Sequence, residues 1–70
     1  MLEIELNGAA HAAPGSAGEA TLLALVESLG LQGQAVALAV NRRVVPRERW
    51  RETLLANHDK VDVVRAIGGG

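Results

Sequence analysis

Leu22, Leu25, Val26 and Leu29 recur at i, i+3, i+4 and i+7 inside the only long helical stretch of the chain, "SAGEATLLALVESLG" at residues 16–30. A single apolar stripe has no second helix to bury against, so the remaining residues must supply a sheet for it to dock on. Ser16 with Glu19 matches a capping box at the start of this helix, Thr21 is an alternative N-cap that fits the same stripe, and Gly30 is placed to cap the C-terminus.

The flanking sequence has strand character. "LEIEL" at 2–6 alternates apolar and charged residues, and Asn7-Gly8 is the preferred centre of a type I′ hairpin turn, so "AAHAA" at 9–13 is expected to return antiparallel before Pro14-Gly15 breaks the pattern. "AVALAV" at 35–40 is apolar on both faces, as for an inner strand with little exposure, and Asn41 ends it. "VVP" continues briefly. Pro46 suits the first position of a helical turn over "PRERW", with Trp50 and Leu54 facing the same way, while "TLL" at 53–55 reads equally as helix end or short strand. "ANHD" is a turn and "KVDVVRAI" at 60–67 the last strand. The order predicts a two-layer α+β fold, one helix on a mixed sheet, in a single domain over residues 1–70.

Without cysteine there is no disulfide, thiolate nucleophile or thiolate metal ligand, and the core must be aliphatic, drawn chiefly from ten Leu and eight Val with one Trp. A net charge of −1 argues against a nucleic-acid partner. No apolar run approaches the roughly 20 residues that span a bilayer, and "MLEIELNG" lacks signal-peptide regions, so a cytoplasmic location without membrane contact is expected.

No catalytic constellation is visible. His11 and His58 lie far apart without a carboxylate at motif spacing, and there is no phosphate loop, HExxH or nucleophile elbow. Charge is nevertheless uneven: residues 1–41 hold four acidic groups and no basic one, whereas 42–70 hold all seven basic groups. Arg42, Arg43, Arg47, Arg49 and Arg51 form either a solvated face or a docking patch for an acidic partner, with Trp50 inside it as core or as a contact residue.

The closing "RAIGGG" ends in a glycine run that gives nothing to a core, since glycine loses the most backbone freedom on ordering. It reads as a frayed tail, an expression scar, a strand cap, or a chain whose final carboxylate reacts. A carboxylate is a poor electrophile and would need activation, as an acyl-adenylate made from ATP. Residues 65–70 can extend about 20 Å, enough to enter a partner's active site, and glycines leave the reacting carbonyl uncrowded. Such a tail binds weakly by itself, so affinity must come from the folded body, through the arginine patch or an apolar sheet face.

"IELNG", "TLLALVESL", "VALAVNRRVVPRERW" and "AIGGG" together resemble the ThiS-type sulfur carriers of thiamine biosynthesis, a ubiquitin-like β-grasp family, over essentially the whole length. The loop "HAAPGSAGEA" is slightly long for the family, and His58 stands where it usually has Gly. The resemblance implies a β-grasp sheet of four to five strands with the first and last side by side, and an extended tail over 66–70. It implies that the protein is not an enzyme and binds no cofactor or metal of its own. An adenylyltransferase of the ubiquitin-activating type would use ATP and Mg²⁺ to adenylate Gly70, with Gly69 and Gly68 as tail residues. Sulfur from a donor system such as a cysteine desulfurase would then give a thiocarboxylate that feeds thiazole synthase. Arg47, Trp50, Arg51 and Ile67 are the candidate docking residues, on a carrier expected to be monomeric when free. A molybdopterin-synthase small subunit, a protein-conjugating modifier and a β-grasp interaction module with an inert tail remain open alternatives.

Overall fold

The computed structural model describes residues 1–65, so the expectations on Ile67, Gly68, Gly69 and Gly70 lie outside the described residues. In chain order the elements are β1 (Leu2–Leu6), β2 (Ala9–Ala13), α1 (Leu22–Ser28), β3 (Val36–Val40), β4 (Arg43–Val45), a 3-10 turn (Arg47–Arg49) and β5 (Lys60–Arg65). The five strands form one sheet in the order β2-β1-β5-β3-β4. β1 and β5 run parallel side by side, as the family resemblance implies, and every other neighbouring pair is antiparallel.

Two hairpins are set by asparagine. Asn7 and Gly8 both adopt positive φ, 48° and 84°, the type I′ geometry that matches strand twist. Asn41 and Arg42 repeat it at 51° and 70° and pair β3 with β4. Arginine is a poor residue for left-handed backbone, which is why this second turn was not legible.

The helix is shorter than the sequence suggests. It starts at Leu22 with Thr21 as N-cap, not at Ser16. Ser16 instead closes a separate turn: its carbonyl accepts from the Glu19 and Ala20 amides, each at 2.9 Å, and its hydroxyl donates to Glu19 Oε2 at 2.8 Å. Gly18 at φ 88° interrupts any continuation. Tertiary contacts fix the true start. The Leu22 amide donates to Thr53 O at 2.9 Å, Leu23 to Trp50 O at 3.1 Å and Ala24 to Thr21 Oγ1 at 3.1 Å, so the orphan donors of the first turn are met largely by residues 50–53. At the other end Gly30 adopts φ 70° and donates to Glu27 O, while Leu31 donates to Val26 O, the two bonds of a Schellman cap.

Leu22, Leu25 and Val26 are buried against Leu2 and Ile4 of β1, Leu38 of β3 and Val61 of β5, with Trp50 and Leu55 closing the core from the irregular segment. Among the described residues only one face of the sheet is covered. β3 is therefore an inner strand but not buried on both faces: Leu38 is buried, Ala37 exposed. Trp50 and Leu54 do not share a side either, since Trp50 is 3% exposed and Leu54 55%. Leu54 forms an isolated bridge with Thr21, so the chain is extended there and Leu55 turns inward in its place. Pro46 sits at the N-cap of the 3-10 turn, one position before its expected place.

Candidate functional site

β5 occupies the centre of the sheet and ends where β3 begins, with Arg65 in register with Val36. β1 stops short of this point, because its parallel register with β5 pairs only Glu5 with Lys60 and Leu6 with Val61. The described end of β5 therefore lies at an end of the sheet framed by the Asn7-Gly8 turn and the C-terminus of α1. A cleft of about 330 Å³ lies here, lined by Leu6, Asn7, Leu29, Leu31, Val63 and Arg65.

The Arg47 region reaches the same end. Arg47 Nη2 donates to the carbonyl of Gln34 at 2.7 Å, two residues before β3 starts, and its guanidinium carbon lies 5.2 Å from the centroid of the Trp50 ring. Leu23, Gln32, Glu48, Trp50 and Arg51 complete a second cleft of about 560 Å³ with Arg47. Trp50 is a core residue, its Nε1 donating to Val45 O at 2.9 Å, and it offers this cleft only part of its surface.

The arginines are not one patch. Arg42 lies in the hairpin turn at the opposite end of β3, and five residue steps of extended chain separate it from Arg47 by up to about 16 Å. Arg49 pairs with Glu52 at 3.3 Å with both side chains exposed, an interaction worth little in water. Arg47 and Arg51 remain as the basic pair that shares the second cleft. The histidines do not meet: His11 is half-buried opposite Ile4, and His58 sits in an exposed turn at φ 71°. Among the described residues no group of three or more His, Cys, Asp or Glu could hold a metal ion.

The open sheet face carries apolar residues that the sequence pattern alone did not single out. Val44 and Val64 are 74% and 62% exposed, and the registers Ala39 with Val44 and Ala37 with Val64 place them on either side of two small residues of β3. The signal was "VV" in β4 and again in β5, because consecutive valines in a strand must point to opposite faces.

The model of the ThiS family matches residues 4–70, nearly the whole chain. The chain belongs to the ThiS family. It is a sulfur carrier of thiamine biosynthesis and, as a ThiS-family carrier, a non-catalytic protein. Among curated proteins it is 34% identical over 50 residues to the sulfur carrier protein ThiS of Escherichia coli, covering 71% of this chain and 76% of that protein. It is also 39% identical over 69 residues to a thiazole synthase of Magnetococcus marinus, covering 99% of this chain but 20% of that protein. A crystal structure of the thiamine biosynthesis protein ThiS from Geobacter metallireducens superposes with a TM-score of 0.80 at 25% identity, covering 99% of this chain and all of that one. The five-stranded sheet with one helix is thus the ThiS-like β-grasp. No described helix is long and apolar enough to cross a membrane.

Proposed function

We propose that Gly70 carries the sulfur on its terminal carboxylate, with Gly69 and Gly68 as the slender approach and residues 66–70 acting as an extended tail of one domain over residues 1–70. A carboxylate oxygen bonds to the α-phosphorus of ATP on an adenylyltransferase of the ubiquitin-activating type, where Mg²⁺ assists and pyrophosphate leaves. Sulfur at the oxidation level of sulfide then attacks the acyl carbon, AMP departs with the carboxylate oxygen, and a thiocarboxylate remains. A cysteine desulfurase system supplies that sulfur as a persulfide, whose outer sulfur is released at the sulfide level by a thiol reductant that is itself oxidised to a disulfide, and thiazole synthase consumes the thiocarboxylate, all in the cytoplasm.

The observation that carries this reading is the match to the ThiS family through residue 70 on a chain whose central strand leads toward that tail. A ThiS-like stretch within the thiazole synthase of Magnetococcus marinus supports a thiazole synthase as acceptor. Arg47 and Arg51, which line one cleft, with the edge of Trp50 and with Ile67, are the residues that would hold the adenylating partner, and the apolar patch of Val44 and Val64 adds a face for it. The free carrier is a monomer in this reading.

Intact mass spectrometry after incubation with ATP, Mg²⁺, the adenylyltransferase and a sulfur source tests it. A gain equal to one oxygen exchanged for sulfur, mapped to the C-terminal peptide, is the expected result. With a demonstrably active partner, an unchanged mass would leave an interaction module with an inert tail.

A further inference from the structure

The exit of β5 is held on one flank by a single side chain. Asn7 donates its backbone amide to Val61 O at 2.9 Å, the rung that continues the parallel ladder after Glu5 to Asp59 O at 2.9 Å. In a parallel ladder the next rung would run from the Val63 amide to the backbone carbonyl of Asn7. The chain has turned at Asn7, where φ is 48°, and the Asn7 side-chain oxygen takes that rung instead, accepting from the Val63 amide at 2.8 Å. This amide points away from β3, because it is spent on the β1 flank. Asn41 does a comparable job at the opposite end of β5, its side-chain oxygen accepting from Lys60 N at 3.0 Å and its amide group donating to Asp59 Oδ1 at 3.0 Å. Each hairpin asparagine thus serves both its own left-handed turn and β5.

We propose that Asn7 is a positioning residue for sulfur loading: its side-chain oxygen substitutes for the missing β1 rung and fixes the direction in which β5 delivers the tail. The proposal rests on Gly70 being the loaded group. Among the described residues the β1 flank of β5 has no strand partner beyond Val63, so without this bond β5 is tethered there from Val63 onward through β3 alone. A tail aimed by one flank alone searches a wider cone before it enters a partner's channel, which weakens productive binding and leaves the chemistry of a bound tail unchanged.

Asn7→Gly removes the oxygen yet keeps the left-handed turn, and Asn7→Asp keeps both an acceptor and tolerance of positive φ. Hydrogen exchange read at individual amides and adenylation kinetics with the partner adenylyltransferase are measured on the full chain. For Asn7→Gly, Val63 should exchange about five- to tenfold faster, with the β3 amides little changed, and KM for adenylation should rise several-fold at unaltered kcat. Asn7→Asp should restore both. Unchanged Val63 exchange, an equal acceleration across all strands, an unaltered KM, or failure of the Asp variant to rescue would overturn the proposal. If the wild-type chain is not adenylated at all, the proposed function fails and the positioning role with it; the exchange comparison still reports whether the bond holds β5.

Discussion

Arg47 donates to the carbonyl of Gln34 across 2.7 Å, so the 3-10 turn after β4 is tied to the loop that feeds β3. The same guanidinium lies over the Trp50 ring. Arg47→Ala should therefore lower stability by about 1 kcal/mol, the net value of one such bond with a small aromatic contribution, measured as a fall in the urea midpoint at constant m-value. Arg47→Lys should recover only part of this, because an ammonium cannot reach the carbonyl and cover the ring with one planar group. Equal stability of the Ala variant would mean that the tie is lost in solution.

Arg51 separates docking from folding. It lines the same cleft, yet among the described residues no hydrogen bond or ion pair of its side chain is found. Arg51→Ala should leave the melting temperature nearly unchanged and slow association with the adenylyltransferase, more at low ionic strength than at high. Stopped-flow association at two salt concentrations provides the check, and equal rates for variant and wild type would remove Arg51 from the docking surface.

Thr21 and Ser16 compete in the sequence for one role that only Thr21 fills. Thr21→Ala should cost about 1 kcal/mol, within the range for lost N-caps, since Ala24 N loses its acceptor. Ser16→Ala, which breaks only an exposed hydroxyl-to-carboxylate bond, should stay within about 0.5 kcal/mol of wild type. Chemical denaturation of the two variants side by side decides it; the reverse order would restore the longer helix.

These elements also show what could be read from residues alone. Alternation in "LEIEL", the Asn7-Gly8 pair and the leucine stripe are local signals, and the strands, turn and helix face they indicate are present. For the helix start the residues offered both Ser16 and Thr21, and Thr21 is the cap; the choice was not legible because the carbonyls that satisfy the first amides come from Trp50 and Thr53, some 30 residues away. The Asn7 tie was hidden for the same reason, since its partner lies 56 positions along the chain. The candidate docking pair of Arg47 and Arg51 could be picked out as part of a charge cluster, but its separation from Arg42 depends on a hairpin turn that places arginine at positive φ.

In the proposed function Gly70 is the reacting position, and two changes there ask different questions. Gly70→Leu keeps a terminal carboxylate at the same reach and crowds the carbon that AMP activation and sulfur attack must approach. Deleting Gly70 moves the carboxylate to Gly69, still uncrowded but about 3.5 Å short of its former reach. Both variants should lose sulfur transfer by the mass assay, the first through crowding and the second through reach. The twelve buried hydrophobic residues of the described core all lie between Leu2 and Val61, so neither change should alter stability by more than about 0.5 kcal/mol. Retained loading of the deletion variant would show that the partner reads a glycine carboxylate without measuring length, whereas unfolding of either variant would show that the glycines serve the fold.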